Sequence, residues 1–227
     1  MTTANSPQSR PHAREQIADA VVHVVGVALV MLAVPVLLTL TAVWREEAAV
    51  VAAMSVYGAS LLAMILMSAS YNLAAIRFPG RRILKVLRRL DHGTIYLKIA
   101  GTYTPFAVIA GGPLGRWLLI GIWSGAAIGF LGKMFAPEHW ARKWEIVSLL
   151  LYLAMGWAFV PAAGPISASV TEATLILILV GGGLYTVGVV FHLWERLPYQ
   201  NAIWHVFVLA ASFVFYSAMI VEVAIGI

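Results

Sequence analysis

Residues 20–44 read AVVHVVGVALVMLAVPVLLTLTAVW, twenty-five positions without a charged side chain. About 17–25 predominantly apolar residues suffice to carry a helix across the hydrocarbon core of a bilayer. Reading outward from this stretch, six more runs interrupt the charged residues: 48–76, 92–110 (broken only by Lys98), 117–132, 146–171, 173–194 and 197–221. Of the 227 residues, 61% are hydrophobic and 11% charged, against about 25% charged in an ordinary soluble domain. The mean hydropathy is +0.88. Seven spans leave no room for a separate soluble domain, so the chain is expected to be an all-α integral membrane protein, a seven-transmembrane-helix bundle. Residues 1–16 form a polar N-terminal tail and 17–227 one membrane domain. The tail has no apolar stretch of its own, so no cleavable signal is expected.

The basic residues orient the bundle. Arg10 and Arg14 lie in the tail, and Arg77, Arg81, Arg82, Lys85, Arg88 and Arg89 in the second connection. Lys133, Arg142 and Lys143 fall in the fourth connection and Arg196 in the sixth. Only Arg45 and Arg116 fall on the opposite side. Cytoplasmic loops carry the excess of Lys and Arg, which places the N-terminus in the cytoplasm and the C-terminus outside. The formal charge of +5 therefore reflects membrane orientation, and no nucleic-acid partner is expected. Membrane lipids are the expected partners. The segment 79–90, PGRRILKVLRRL, mixes basic and apolar residues after a Pro-Gly break and suits a short helix at the cytoplasmic interface. Gly121, Gly125 and Gly129 form a small-residue ridge in span four that would allow close helix packing, within the chain or in a homo-oligomer. Pro35, Pro105, Pro161 and Pro165 mark kinks or span ends.

With no cysteine in the chain, thiolate ligands, thiol nucleophiles and disulfides are excluded. Other polar chemistry gathers at one membrane level. All six histidines (His12, His23, His92, His139, His192 and His205) fall on the cytoplasmic half, as do Ser68, Asn72, Asp91 and Asn201. Spacing pairs them: Ser68 with Asn72, and Asn201 with His205, each four apart on one helical face. Lys98 lies about 10 Å deeper than Asp91 at 1.5 Å per residue. A charge at that depth needs a partner, and Asp91 or the asparagine carbonyls are the expected acceptors.

The stretches SASYN (68–72), LDHGTIYLKIAGTYTPF (90–106), YLAMGW (152–157) and PYQNAIWHVFVLA (198–210) resemble the hemolysin III family. That family is the bacterial branch of the superfamily containing the progestin and adipoQ receptors and, more remotely, the alkaline ceramidases. The resemblance implies seven transmembrane helices and a plasma (inner) membrane location. It also implies a zinc site built from a Ser-x3-His pair in span two, an Asp at the start of span three and a His-x3-His pair in span seven. Ser68, Asp91 and His205 match three of those positions, but Asn72 and Asn201 stand where the pattern has histidines. Zinc is bound by imidazole, thiolate or carboxylate rather than by neutral amides. No metal is therefore expected at these five positions, with Lys98 acting as a substitute cation. Zinc stays possible through other ligands, His23, His92 and His205. Three functions follow from this reading. The favoured one is a non-enzymatic protein of membrane and lipid homeostasis, cytolytic when overproduced. The alternatives are a zinc-dependent lipid-amide hydrolase using Ser68 and Asp91, and a transporter or proton pathway.

Overall fold

A computed structural model describes residues 9–137 and 141–226. Among them the chain forms eight helices and no strand: α1 (Ser9–Trp44), α2 (Ala48–Arg77), α3 (Ile83–Ala110), α4 (Gly112–Phe135), α5 (Ala141–Gly156), α6 (Phe159–Ser167), α7 (Glu172–Leu193) and α8 (Gln200–Ile225). The protein is an all-α integral membrane protein. Helices α1, α2, α4, α7 and α8 are each long and apolar enough to cross a membrane. Large apolar side chains such as Leu32, Val43, Trp117 and Ile128 stand exposed on them, as lipid-facing positions require.

The remaining crossings differ for physical reasons. Helix α3 is more polar because it is enclosed by protein, packing against α2, α4, α5 and α6, with Thr94, Lys98, Thr102 and Thr104 buried. Helices α5 and α6 are one span broken at residues 157–158, where Trp157 and Ala158 still bond back to Leu153 and Met155. The Tyr103 hydroxyl, reaching from α3, donates to the Gly156 carbonyl at 2.8 Å and accepts from Phe159 N–H at 2.9 Å. One side chain thus satisfies backbone groups freed by the break, the condition for interrupting a helix at membrane depth.

Segment 79–90 differs from the expectation of a separate interfacial helix. After the turn at Gly80, which adopts φ +79°, the chain enters α3 at Ile83 and runs without interruption into the span. Nothing in the sequence Leu90-Asp91-His92 stops the helix. Arg89 anchors this extension by donating to the carbonyls of Met134 at 2.6 Å and Ala136 at 3.3 Å, at the C-terminal end of α4, where a cation complements the helix dipole.

Two apolar clusters hold the bundle. One joins α1, α2, α3, α7 and α8 through Leu37, Tyr57, Phe106, Ile178 and Met219; the other joins α3, α4 and α5 through Tyr96, Ala126 and Met155. The glycine ridge of α4 serves this packing. A side chain at Gly129 would collide with the Tyr96 ring, Gly125 lies against Met155, and only Gly121 faces open space. At the opposite end, Arg45 donates to the carbonyls of Glu222 at 2.5 Å and Gly226 at 2.8 Å, tying the end of α1 to the end of α8.

Candidate metal centre

The span-seven histidine meets α1. His205 Nδ1 lies 2.6 Å from Asp19 Oδ1, and His23 Nε2 lies 3.6 Å from Asp19 Oδ2. The two imidazole rings are 4.4 Å apart, tilted by 57°. Asp19 and His23 are four residues apart, so α1 presents both on one face. Helices α1 and α8 approach closely here because Gly26, one turn beyond His23, leaves room for Leu209, one turn beyond His205. The Tyr216 hydroxyl fastens the same pair farther along by donating to the Ala33 carbonyl at 2.9 Å.

Asp19 and His23 are buried, at 7% and 4% exposure, and His205 is half-buried. One ligand atom from each of the three lies within 4.8 Å of the others. His23 Nε2 is buried without a hydrogen-bond partner, although buried polar atoms nearly always have one. A carboxylate, two imidazoles and an orphaned ring nitrogen fit the donor chemistry of a borderline-soft divalent ion. Such a group could hold a metal by Asp19, His23 and His205. Without one, Asp19 accepts a proton-mediated bond from His205 and holds the two imidazoles together.

The positions singled out in the sequence are engaged separately. Asn72 turns its amide back to donate to the Ser68 carbonyl at 2.9 Å, and Ser68 is buried in α2. Asn201 is exposed on α8, one turn before His205. The carboxylate of Asp91 lies 3.6 Å from His92 Nδ1. That same nitrogen is 2.8 Å from the Arg88 carbonyl, and Tyr152 donates to the His92 carbonyl at 2.6 Å. His92 therefore belongs with Asp91, Arg88 and Tyr152 and is not a member of the trio. The metal-capable group holds His23 and His205 with Asp19 as its third member, where the alternative set read from the sequence had His92. His192 packs its ring 4.9 Å from that of Trp204, and His139 lies outside the described residues.

Lys98 also departs from expectation. Its ammonium donates to Thr102 Oγ1 at 2.7 Å and sits 4.5 Å from the centre of the Tyr57 ring and 5.8 Å from that of Phe215. A hydroxyl and two π-faces replace the expected Asp91 carboxylate. Seven residues of helix separate the two, and Lys98 turns across the bundle towards α2 and α8. Asp19 lies just outside the uncharged run that begins at Ala20, so the run by itself does not mark it. The i, i+4 pairing of Asp19 with His23 was the signal that marks it.

Residues 12–216 match the family model described as "Haemolysin-III related". The chain belongs to the hemolysin III family. "Hemolysin-3" of Bacillus cereus is 40% identical over 200 residues, spanning 88% of this chain and 87% of that protein. "Hemolysin-3 homolog" of Bacillus subtilis (strain 168) is 35% identical, over 88% and 90%. The family reaches further: "Monocyte to macrophage differentiation factor" of Homo sapiens is 32% identical over 167 residues, covering 72% of this chain and 67% of that protein. This hemolysin III member is thus a multi-pass membrane protein. Its metal-capable group joins His205 to two α1 side chains, Asp19 and His23.

Proposed function

We propose that this hemolysin III protein is a non-enzymatic component of the plasma (inner) membrane that acts in lipid homeostasis and lyses membranes when overproduced. We further propose that Asp19, His23 and His205 hold a zinc ion at its cytoplasmic end. The observation that carries the non-enzymatic reading is the separation of groups. Asp19, His23 and His205 make up the metal-capable group, and Asp91, which a hydrolase would use as a helper, is paired instead with His92, while Ser68 meets Asn72 through its backbone carbonyl. The name of the Bacillus cereus relative, "Hemolysin-3", supports the lytic component.

The three side chains would divide the work. Asp19 neutralises charge and bridges the two imidazoles; His23 offers its unpaired Nε2; His205 brings α8 onto α1. Zinc bound there would supply a fixed positive charge and Lewis acidity. Shared coordination by side chains of both helices would lock α1 against α8 at the membrane face.

Purified protein in lipid vesicles tests the reading. Expected are about one zinc per chain by elemental analysis, leakage of a trapped dye at high protein density, and intact lipids. Three protein ligands with a further position open is also the pattern of hydrolytic zinc sites. Release of fatty acid from amide-linked lipids, abolished by Asp19→Asn, would replace the present reading with the hydrolase.

A further inference from the structure

On the lipid-facing side of α1, away from Asp19, an apolar groove of about 560 Å³ runs between the cytoplasmic halves of α1 and α2. Its walls include Ile17, Ala20, Val21 and Val24 from α1, and Leu73 and Ile76 from α2. The volume falls within the roughly 300–1,000 Å³ of ordinary ligand sites. Along α1 the groove extends from Ala13 to Val25, about 18 Å at 1.5 Å per residue. That is close to the depth of one leaflet, about half of the ~30 Å hydrocarbon core.

Beyond the residues that line the groove, helical spacing puts an arginine of each helix near its cytoplasmic end. Arg14 is three and seven residues before Ile17 and Val21, so it shares their face of α1; Arg77 is four residues after Leu73 and shares its face of α2. Both arginines are exposed. The Arg77 guanidinium lies 5.4 Å from the centre of the Phe78 ring and that of Arg81 6.0 Å from it, which gathers two cations at the end of α2. Glu15, the acid beside Arg14, accepts from Tyr199 N–H at 3.4 Å, on the α8 side of the helix.

We propose that this groove binds one anionic glycerophospholipid, with an acyl chain along the α1–α2 recess and its phosphate met by Arg14 and Arg77. An apolar body one leaflet deep under a basic rim matches a lipid with one charged end. A zwitterionic lipid would fill the same recess but gain less from the arginines. A second copy of the chain would have to place an acidic helix end at the rim.

The test uses the full chain in mild detergent, offered equal amounts of phosphatidylglycerol and phosphatidylcholine with the same acyl chains, with retained lipid read by native mass spectrometry. Phosphatidylglycerol should be retained preferentially. Each basic residue near an anionic headgroup contributes roughly fivefold, so Arg14→Gln with Arg77→Gln should lower that preference about 25-fold. Arg116→Gln, at the other membrane face, should leave it unchanged. Ala20→Trp, which fills the groove, should lower retention of both lipids. A phosphatidylglycerol carrying a mid-chain photolabel should mark α1 and α2 of the unaltered protein, a readout that stands even if the double arginine variant fails to fold. Equal retention of the two lipids, or photolabel spread evenly over all lipid-facing helices, overturns the proposal. So does a dimer closed over a lipid-free groove.

Discussion

His205 of α8 and Asp19 of α1, 186 residues apart in sequence, are joined by a 2.6 Å hydrogen bond within the helix bundle. Charge-assisted bonds of this length are among the stronger ones, and here the bond closes the first helix on the last. Asp19→Asn and His205→Gln should therefore be strongly non-additive. A double-mutant cycle by thermal melt in detergent should give a coupling of about 1–3 kcal/mol. Additive effects would mean that the two helices are held together by Tyr216, Arg45 and the apolar contacts instead.

Zinc occupancy of the trio should fall with acidification. Imidazole ligands must be neutral and the carboxylate ionised to bind a metal, so protons compete with the ion. Occupancy measured after equilibration at about pH 7.5 and about pH 5.5 should drop across that interval. His23→Gln should depress it at both pH values, whereas His92→Gln should leave it unchanged because His92 is engaged by Asp91 and Arg88.

Lys98 should prove independent of Asp91. Its contacts are Thr102, Tyr57 and Phe215, so Asp91→Asn leaves them intact. The melts of Asp91→Asn, Lys98→Met and the double variant should combine to within about 0.5 kcal/mol. Lys98→Met should be neutral or stabilising, since it removes an ammonium that is costly to keep at membrane depth. A large loss on Lys98→Met would show that the charge itself organises the aromatic pair.

The glycines of α4 should not be equivalent. Gly129→Ala places a methyl group against the Tyr96 ring, whereas Gly121 faces open space. Overpacking of a close contact typically costs 1–3 kcal/mol. The first variant should melt earlier by an amount in that range. Gly121→Ala should be unchanged or slightly more stable, because alanine is the better helix former.

The orientation is open to a direct check. Reporter fusions after residue 112 and at Ile227 should map outside the cell, and fusions after residues 85 and 140 inside. A cytoplasmic C-terminus would require an even number of crossings and would break the pairing of α1 with α8 at one membrane face.

The spans were legible because transfer of apolar side chains into lipid is a local property of each segment, and the uncharged runs mark it directly. Even so, composition alone treats α3 as the weakest span; its polar face is tolerated only because neighbouring helices shield it, which is a property of the bundle. The candidate site divides in the same way. His23 and His205 could be named from sequence as candidate ligands, since both fall on the cytoplasmic half with the other histidines. Their partner could not be chosen. Asp91, Asp19 and His92 all stand at a similar level, and helical spacing orders residues within one helix without saying which faces of two helices meet. That decision rests on Gly26 admitting Leu209, which brings α8 onto the face of α1 that carries Asp19 and His23. Lys98 follows the same logic: its depth was set by its place in the chain, but its direction was set by the aromatic faces of α2 and α8 that pack around it.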